Sequence, residues 1–389
     1  MSSDGPRIVM LGLRGFPDVQ GGIEKHVEAL APLLVARGWD VSVIGRRPYL
    51  PSSDTIEYQG VKILPIWAPR RKSLETILHT ALGVLVAARH RPDVLHIHAV
   101  GPSLMVPFAR LLGMRVMVTH HGYDYDRGKW SPFAKSMLRL GENFGMRFAN
   151  GRIAISGDVS RTMERRYDVP VSFVPNGVIV PPVPATHEIL DKFGLLPRRY
   201  LTTVGRLVPE KRHLDLIAAF SRLDDRELKL VIIGASDHPD AYTRSLHEAA
   251  LATPNVVMTG FQTGAALAEL FSNAALFVLP SSHEGMPIAL LEALGHGLRV
   301  VASDIVANKE LLLHPDDYFP LGDIDALVEA IERGLANPLT LAEATAQMAR
   351  TREAYAWSRV ADRTAEIYRD LLWDVPRRVP VIVRSENMS

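Results

Sequence analysis

The stretch that most constrains the fold of this chain is residues 274–295, AALFVLPSSHEGMPIALLEALG. Its unbroken apolar run at residues 275–280 predicts a buried strand, of the kind that helices cover on both faces in a parallel sheet. A short polar turn follows, and a helix is predicted to begin near Met286 and Pro287, because proline in the first helical turn loses no hydrogen bond. Gly285 lets a ligand approach the backbone closely. Since helix N-termini offer free N–H groups and a favourable dipole, the sequence predicts an anion site at this turn.

Two carboxylates flank the predicted anion site, Glu284 and Glu292. A helical path between them covers roughly 12 Å at about 1.5 Å per residue, which is the reach from a sugar ring to a ribose across a diphosphate. Glu284 would then face sugar hydroxyls and Glu292 ribose hydroxyls. The backbone of Met286, Pro287 and Ile288 would lie beside the same ligand. The structural alternative makes Glu284 part of a capping turn and Glu292 a solvated helix residue, and it is the better interpretation of an isolated pair.

Candidate phosphate ligands lie in residues 204–212, VGRLVPEKR, which follow a predicted strand at residues 200–204. Arg206 and Lys211 are expected to contact a diphosphate, because a guanidinium and an ammonium together supply positive charge and fixed donors. Surface charge at a helix start is the alternative. A cation is unfavourable at that place unless an anion joins it.

The start of the chain predicts a doubly wound α/β domain. Residues 7–13 read as an apolar strand, a glycine-rich loop leads to Gly21 and Gly22, and a helix and a second strand at residues 40–44 follow. The spacing is not G-x-G-x-x-G and no acidic residue clearly ends the second strand, which argues against a nicotinamide dinucleotide. Gly21 and Gly22 serve either a tight turn or the approach of backbone N–H groups to a phosphate.

Histidines end two other predicted strands. The strand at residues 115–119 leads into THHGYDYDRGKW, and the carboxyl ends of parallel strands are where such sheets bind ligands. His121 is the candidate there, because histidine donates hydrogen bonds and titrates near neutral pH. His120 is expected to pack behind it, and His98, at the end of LHIH, could line the same cleft. For an isolated histidine, a structural role is the better interpretation.

Residues 284–292, EGMPIALLE, resemble the E-x7-E signature of retaining glycosyltransferases, most clearly those of family 4. VGRLVPEKR is similar to the V-G-R-L-x-x-x-K segment of the same family, and the ordered motifs cover most of the chain. The resemblance implies the α/β fold called GT-B, in which two Rossmann-like, doubly wound domains face each other across a cleft. We expect an acceptor domain at residues 1–178 and a nucleotide-sugar domain at residues 179–357, with a proline-rich linker at residues 178–185.

The last part of the chain has an amphipathic pattern at residues 356–372. The resemblance implies that a helix at about residues 358–375 packs back on the first domain. Residues 376–389 are rich in proline and arginine, and we expect a loose tail.

The resemblance also implies roles for individual residues. Gly260 and Phe261 would contact the nucleobase, largely through backbone groups, and His121 would face the donor sugar. The predicted catalytic set is His121, Glu284, Arg206 and Lys211. The predicted donor-binding set is Gly21, Gly22, Gly260, Phe261, Gly285, Met286, Pro287, Ile288 and Glu292. The acceptor set is His98, Asp124, Arg127 and Lys129, the last two forming with Trp130 a patch similar to that of bacterial polysaccharide-assembly members.

No metal or other cofactor is expected beside the nucleotide-sugar donor, whose base is left open between uridine, guanosine and thymidine. Asp124 and Asp126 spell D-x-D, which binds a divalent metal in another glycosyltransferase architecture, but a helix start is the favoured interpretation here. The chain has no cysteine, so disulfides, thiolate catalysis and Cys-ligated zinc are excluded.

Charge is unevenly distributed along the chain. Residues 1–178 contain 23 Lys and Arg against 15 Asp and Glu, whereas the whole chain contains 44 against 43. The basic first part is expected to meet an anionic membrane or a lipid-linked diphosphate, through runs such as Arg46 with Arg47 and residues 70–72. For any single run of this kind, a solvated surface is the better interpretation. No nucleic-acid motif is present. The N-terminus does not resemble a signal peptide, and no apolar run reaches the roughly 18 residues of a membrane span. We therefore expect a cytoplasmic protein, peripheral on the inner face of the membrane.

The predicted function is transfer of a sugar, with retention of anomeric configuration, from a nucleoside-diphosphate donor to a saccharide or lipid-linked saccharide in bacterial cell-surface polysaccharide assembly. A sugar-nucleotide epimerase or a phosphorylase on the same fold is one alternative. An epimerase would convert the donor without an acceptor, and a phosphorylase would need a cofactor lysine and a longer chain. A non-catalytic nucleotide-sugar-binding module is the other alternative, and the intact charged residues of the two motifs argue against it.

Overall fold

The computed structural model describes residues 5–52, 54–69, 75–126, 130–182, 186–236 and 239–373. These residues form two α/β domains, each built on one sheet whose strands are almost all parallel. The expected doubly wound α/β architecture is therefore confirmed. Several predicted features lie outside the described residues, namely Arg127, Lys129, the basic run at residues 70–72, part of the proline-rich linker and the tail at residues 376–389.

The first sheet has eight strands in the order β3-β4-β2-β1-β5-β6-β7-β8. Neighbouring strands are parallel except β3 and β4, which pair antiparallel at one edge. Strands β5 and β6 are buried along their whole length, because helices cover both faces of the sheet. The strands are β1 (Arg7–Leu11), β2 (Asp40–Arg46), β3 (Ile56–Tyr58), β4 (Val61–Ile66), β5 (Val94–His98), β6 (Val116–His120), β7 (Gly151–Ala154) and β8 (Ser172–Phe173).

The second sheet has six parallel strands in the order β11-β10-β9-β12-β13-β14. The apolar run that was expected to be a strand is β12, and every one of its residues is buried. The strands are β9 (Tyr200–Val204), β10 (Lys229–Ile233), β11 (Val256–Gly260), β12 (Leu276–Leu279), β13 (Val300–Ser303) and β14 (Tyr318–Phe319).

Helices pack on both faces of each sheet. Those of the first domain are α1 (Gly22–Val35), α2 (Glu75–His90), α3 (Val106–Leu111), α4 (Pro132–Phe148) and α5 (Gly157–Tyr167). The second part of the chain contains α6 (Glu188–Phe193), α7 (His213–Phe220), α8 (Ala241–Ala252), α9 (Gly264–Asn273), α10 (Ile288–Gly295), α11 (Val306–Lys309), α12 (Ile324–Ala336), α13 (Leu341–Ala354) and α14 (Trp357–Trp373). Among the described residues, no helix is both long and apolar enough to span a bilayer.

The last helix, α14, belongs to the core of the first domain although it follows the second domain in sequence. Its buried Trp357, Val360 and Tyr368 join the cluster formed by β1, β2 and α1. The Tyr368 hydroxyl lies 2.5 Å from the Nδ1 atom of His96. The helix therefore holds the two domains together through apolar packing.

The loops at the carboxyl ends of the two sheets contact each other. The Gln20 side-chain oxygen accepts a hydrogen bond from the Ala235 N–H (3.2 Å), and the Asn176 amide donates to the Met286 carbonyl (3.0 Å). A Cβ atom placed on Gly122 would lie 2.9 Å from the Gly285 Cα atom. The space enclosed by these loops contains the carboxyl ends where both sheets are expected to bind ligands.

Three local features differ from expectation. Arg46, which was expected in a basic surface run with Arg47, is buried, and its Nη1 atom lies 3.0 Å from the Glu75 Oε1 atom; Arg47 is exposed. Pro287 is the residue before α10, which begins at Ile288, so proline lies one position earlier than the first turn. Helix α4 is absent from the predicted elements, although it is strongly amphipathic and is capped by Ser131, whose hydroxyl accepts the Ala134 N–H. Its two glycines and four charged residues lower the apolar content that makes a helix stand out in sequence.

Candidate active site

An ion pair stands at the carboxyl edge of the second sheet. The Lys211 Nζ atom lies 2.6 Å from the Glu284 Oε1 atom, and their side chains are only 18% and 11% exposed. Lys211 follows β9 and Glu284 follows β12, which are neighbouring strands. The Ser282 N–H donates to the Glu210 carbonyl (2.8 Å), so backbone bonding keeps the two loops together. Two residues of separate predicted motifs therefore meet in one place.

The turn after Glu284 passes very close to the first domain. A Cβ atom on Gly285 would lie 2.1 Å from the His121 carbonyl oxygen, so a larger residue would push the two loops apart. Helix α10 begins three residues later, and no side chain caps its first turn. Its free N–H groups retain the anion-binding capacity that the sequence predicts.

Glu292 lies on α10 and points towards the first domain. Burial raises the pKa of Glu292 to about 7, and the charge of Lys25 on α1 opposes that rise. The Lys25 Nζ atom donates to the Thr263 hydroxyl across the cleft (3.2 Å). Glu292 is therefore half-buried rather than fully solvated, contrary to the structural alternative for an isolated glutamate.

Three histidines of the first domain form a buried cluster beneath these loops. His98 ends β5, His121 follows β6, and His26 reaches in from α1. The His98 Nδ1 and His121 Nε2 atoms are 3.0 Å apart, and the ring centroids of His26 and His121 are 5.0 Å apart. The side-chain Oδ1 atom of Asn176 lies 2.8 Å from the His26 Nδ1 atom. Burial lowers the pKa of His26 to about 4 and those of His98 and His121 well below their usual value, so all three are neutral at pH 7.

The same histidines are a possible metal-binding group. One ring nitrogen of each of His26, His98 and His121 lies within 4.8 Å of the others. Neutral imidazoles are good ligands for zinc-like ions. In the described part of the chain no other group of this kind is found. Asp124 and Asp126 are not part of it; they form a short 3-10 turn, in agreement with the expected helix start.

In the glycine-rich loop before α1, Gly21 and Gly22 have different surroundings. The sequence leaves open whether these glycines serve a tight turn or let a phosphate approach the backbone. A Cβ atom on Gly21 would lie 2.0 Å from a Glu24 carboxylate oxygen, so this glycine is needed for the turn. Nothing lies within 4 Å of a Cβ atom on Gly22, so its backbone borders open space. Glu24 is held by Arg14, whose Nε atom lies 3.1 Å away. The turn is therefore rigid, and Gly22 is free to meet a ligand.

The remaining predicted residues lie in the loops that carry Lys211 and Glu284, at the end of β11, or outside the residues that the structure describes. Arg206 is half-buried in the same loop as Lys211, and Met286 is buried against Asn176. Gly260 has a φ of +73° and its carbonyl accepts the Gly234 N–H (2.9 Å), with half-buried Phe261 next to it. Of the acceptor set, His98 and Asp124 are described, whereas Arg127 and Lys129 are not.

Several residues of the site are missing from the sequence-based sets. His26, Lys25 and Asn176 all reach the cleft through contacts with the opposite domain or with the predicted histidines. His26 and Lys25 follow the Gly21–Gly22 turn by one helical turn. That spacing is the signal that could have found them, since a helix beginning at a ligand site places its first turn there.

Two domains with parallel sheets, loops that meet at the carboxyl ends and a last helix that returns to the first domain define the GT-B class of fold. The family described as glycosyl transferases group 1 matches residues 198–337. The family described as glycosyl transferase 4-like domain matches residues 21–177. The chain therefore belongs to the family-4-like glycosyltransferases with the GT-B fold.

Named relatives extend over nearly the whole chain. Alpha-maltose-1-phosphate synthase of Mycobacterium tuberculosis is 28% identical to this chain. The aligned region covers 93% of this chain and 99% of the synthase. The phosphatidyl-myo-inositol mannosyltransferase of Mycolicibacterium smegmatis is 27% identical over 90% of both chains. An Escherichia coli galactosyltransferase that uses UDP-Gal and GlcNAc-diphosphoundecaprenol is 27% identical over 63% of this chain and 67% of its own.

Solved structures share the fold at lower identity. Sucrose-phosphate synthase of Thermosynechococcus elongatus superposes with a TM-score of 0.81 at 20% identity, covering 95% of this chain and all of that one. Anabaena HepE in complex with UDP-glucose gives a TM-score of 0.74 at 17% identity, with 92% and 98% coverage. The GT-B architecture implied by the motif resemblance is thus confirmed.

Proposed function

We propose that this chain is a retaining, metal-independent glycosyltransferase that moves a hexose from a nucleoside-diphosphate donor to a saccharide or lipid-linked saccharide. Its role would be in bacterial cell-surface polysaccharide assembly. The observation that carries the proposal is the Lys211–Glu284 pair beside the uncapped start of α10. The name of the E. coli galactosyltransferase, which contains a lipid-diphosphate acceptor, supports the acceptor class.

The leaving diphosphate is the group that most needs stabilisation. As the bond to the anomeric carbon breaks, negative charge develops on the phosphate while the sugar becomes oxocarbenium-like. In the proposed mechanism, Arg206, Lys211 and the N–H groups at the start of α10 donate hydrogen bonds to that charge. Preorganised donors in a partly dry site are the largest single source of catalysis in many enzymes. In this mechanism they take the place of a metal ion.

The sugar and the acceptor need orientation rather than a covalent partner. In the proposed mechanism, Glu284 and His121 hold the sugar hydroxyls, and Glu292 holds the ribose. The acceptor hydroxyl attacks the face from which the diphosphate departs and gives its proton to the departing phosphate oxygen. The new glycosidic bond then has the configuration of the old bond, which is the meaning of retention.

The direct test uses three classes of nucleotide-sugar and the lipid-linked acceptor that the name of the E. coli relative contains. The purified protein would be incubated with UDP-, GDP- or dTDP-hexoses and GlcNAc-diphosphoundecaprenol, with and without EDTA. The release of nucleoside diphosphate and the anomeric coupling constant of the product would be measured. An acceptor-dependent product with the donor's anomeric configuration, formed equally with EDTA, is expected. An inverted product, or conversion of the donor without acceptor, would overturn the proposal.

Membrane contact is the second part of the proposal. Helix α2 presents an apolar outer face made of Ile77, Leu78, Leu82 and Leu85, each at least 36% exposed. This face continues over α3 and α4, where Leu111 and Phe133 are 86% and 76% exposed. We call the exposed apolar side chains of these three helices the apolar face.

Charge on the apolar face favours an anionic partner. The same three helices carry exposed arginines, namely Arg89, Arg110, Arg139 and Arg147. The carboxylates of the three helices, Glu75 and Glu142, are buried. Helices that expose both apolar side chains and arginines suit insertion at the surface of an anionic bilayer. The lipid-linked acceptor would then be reached from the inner face of the cell membrane.

Vesicle flotation tests the membrane contact. Replacing Leu78, Leu82 and Leu85 together by serine should weaken binding to phosphatidylglycerol vesicles about tenfold or more, because each buried methylene contributes about 0.8 kcal/mol. The matched control is Leu251→Ser, a leucine that is 89% exposed in the second domain. Equal flotation of the triple variant and the wild type would contradict the proposed surface.

A further inference from the structure

Behind the histidine cluster lies a second buried pair that the mechanism above does not use. His120 ends β6 and Glu142 lies on α4; they are 0% and 1% exposed. The His120 Nε2 atom is 3.1 Å from a Glu142 carboxylate oxygen. On its other side, the His120 Nδ1 atom lies 3.1 Å from the backbone nitrogen of Gly122.

These two contacts define which nitrogen of His120 carries the proton. The Gly122 N–H can only donate, so the Nδ1 atom of His120 must offer its lone pair. The proton is then on Nε2, where it is donated to Glu142. A carboxylate that accepts a hydrogen bond from a histidine in this way selects one tautomer of the ring, as carboxylates do for the histidines that bind metal ions.

Glu142 is itself held as a carboxylate. It accepts hydrogen bonds from the hydroxyls of Tyr125 (2.8 Å) and Tyr167 (2.9 Å) and from the Arg166 guanidinium (3.0 Å). Burial alone would raise the pKa of Glu142, but the hydrogen bonds that it accepts from His120 and the tyrosines outweigh the burial and hold the pKa below its usual value. Glu142 therefore remains an acceptor across the physiological range.

The backbone that His120 anchors lies at one of the close contacts between the domains. Gly122 has a φ of +111°, and a Cβ atom there would lie 2.9 Å from the Gly285 Cα atom. His121, between the two anchored residues, has its carbonyl oxygen against Gly285 as well. A small movement of Gly122 would therefore displace both His121 and the turn that leads to α10.

We propose that His120, oriented by Glu142, is a positioning residue that fixes the Gly122 amide and with it the sugar-facing loop at residues 121–122. This proposal rests on the proposed function, because the loop is taken to hold the donor sugar during glycosyl transfer. The competing explanation is that His120 and Glu142 only fasten α4 to the first sheet. The two explanations predict opposite rankings for one pair of variants.

The pair is His120→Asn and His120→Gln. The asparagine oxygen reaches the place of Nδ1, so His120→Asn keeps an acceptor for the Gly122 N–H and loses the donor to Glu142. The glutamine amide reaches the place of Nε2, so His120→Gln keeps the donor to Glu142 and leaves the Gly122 N–H without an acceptor. The first variant preserves loop position, and the second preserves the attachment of α4.

Kinetics and melting temperature together separate the explanations. We expect His120→Gln to lose about 100-fold in kcat, as small misplacements in active sites do, while the donor KM and the melting temperature stay near the wild type. We expect His120→Asn to retain most of kcat and to melt at a lower temperature. A kcat that follows the melting temperature in both variants, or a fully active His120→Gln, would overturn the proposal. The matched control is His79→Asn with His79→Gln, another buried histidine of the first domain, which should change kcat in neither form.

A measurement without turnover keeps this test separate from the proposed function. In histidine-labelled wild-type protein, long-range proton–nitrogen correlation should show a neutral His120 ring protonated at Nε2. Hydrogen exchange should find the Gly122 amide protected in the wild type and in His120→Asn, and exposed in His120→Gln. A ring protonated at Nδ1, or equal protection in both variants, would contradict the inference even if no glycosyl transfer were detected.

Discussion

Lys211 and Glu284 show how much of the site depends on a single contact. Each lies in a different motif, 73 positions apart, and each is nearly buried only because the other neutralises it. A buried charge without its partner is costly. The donor's diphosphate and sugar hydroxyls are the groups that could replace either partner, so the pair is suited to open when a donor arrives.

The first prediction concerns this pair. Lys211→Ala and Glu284→Ala should each lower kcat/KM by about 100-fold or more, because a preorganised charge in a partly dry site is lost. Circular dichroism and the melting curve should still show a folded protein. The control is Lys309→Ala, which breaks an exposed ion pair with Asp304 in the same domain (3.3 Å) and should leave turnover unchanged. Near-normal kcat/KM in either site variant would remove these residues from the mechanism.

The second prediction concerns the pH dependence of donor binding. Glu292 has a pKa of about 7 in the free protein because it is buried. Only its ionised form accepts hydrogen bonds from both ribose hydroxyls, so donor affinity should rise as the pH increases through about 7 and fall below it. In Glu292→Gln, titration calorimetry between pH 6 and 8 should find weaker binding that no longer varies with pH. An unchanged pH profile in this variant would contradict the assignment.

At the scale of elements, the strongest sequence signals are the ones that the structure confirms. The apolar run of β12 is buried as predicted, and the helix that was predicted after Gly21 and Gly22 is α1, which buries Val27, Leu30 and Leu34. The short edge strands β3, β8 and β14 have two or three residues each and were missed, because so few residues carry no periodicity. Helix α4 was missed for its low apolar content, and with it the Glu142 that orients His120.

The third prediction concerns the start of α1. Gly21→Ala should destabilise the fold, because its Cβ atom would overlap the Glu24 carboxylate, whereas Gly22→Ala should leave the melting temperature unchanged. If a diphosphate approaches the Gly22 backbone, the added methyl group should raise the donor KM about tenfold by preventing that close approach. An unchanged donor KM in Gly22→Ala would show that Gly21 and Gly22 serve only the turn and do not contact the donor.

At the scale of the whole molecule, two α/β halves could be predicted from the order of strand, loop and helix. The contacts between the two halves could not be predicted from the sequence, because the role of each contacting residue depends on a partner in the opposite domain. Glu310 is an example: its carboxylate accepts the Gly157 N–H (3.2 Å) and the Asp158 N–H at the start of α5 in the first domain. Nothing in the sequence around Glu310 indicates that it caps a helix 150 residues away.

The fourth prediction follows from that cap. Removing a helix cap costs about 1 kcal/mol, so Glu310→Ala should reduce the population in which the domains touch by about fivefold. Small-angle scattering should show a larger radius of gyration without donor, and the donor KM should rise by a similar factor. The control is Glu329→Ala, a carboxylate that is 71% exposed on α12. A scattering curve identical to that of the wild type would show that Glu310 does not hold the domains together.

The central claim is that the cleft binds a nucleotide-sugar without a metal, and a thermal-shift panel tests it most directly. UDP-, GDP- and dTDP-sugars would be added to the wild type and to Lys211→Ala, each with and without EDTA. Because a ligand that binds only the folded state raises the melting temperature, we predict stabilisation by one class of donor, unaffected by EDTA and lost in Lys211→Ala. A donor shift that EDTA abolishes would place a metal in the site, with His26, His98 and His121 as its first candidate ligands. No shift with any nucleotide-sugar would contradict the account.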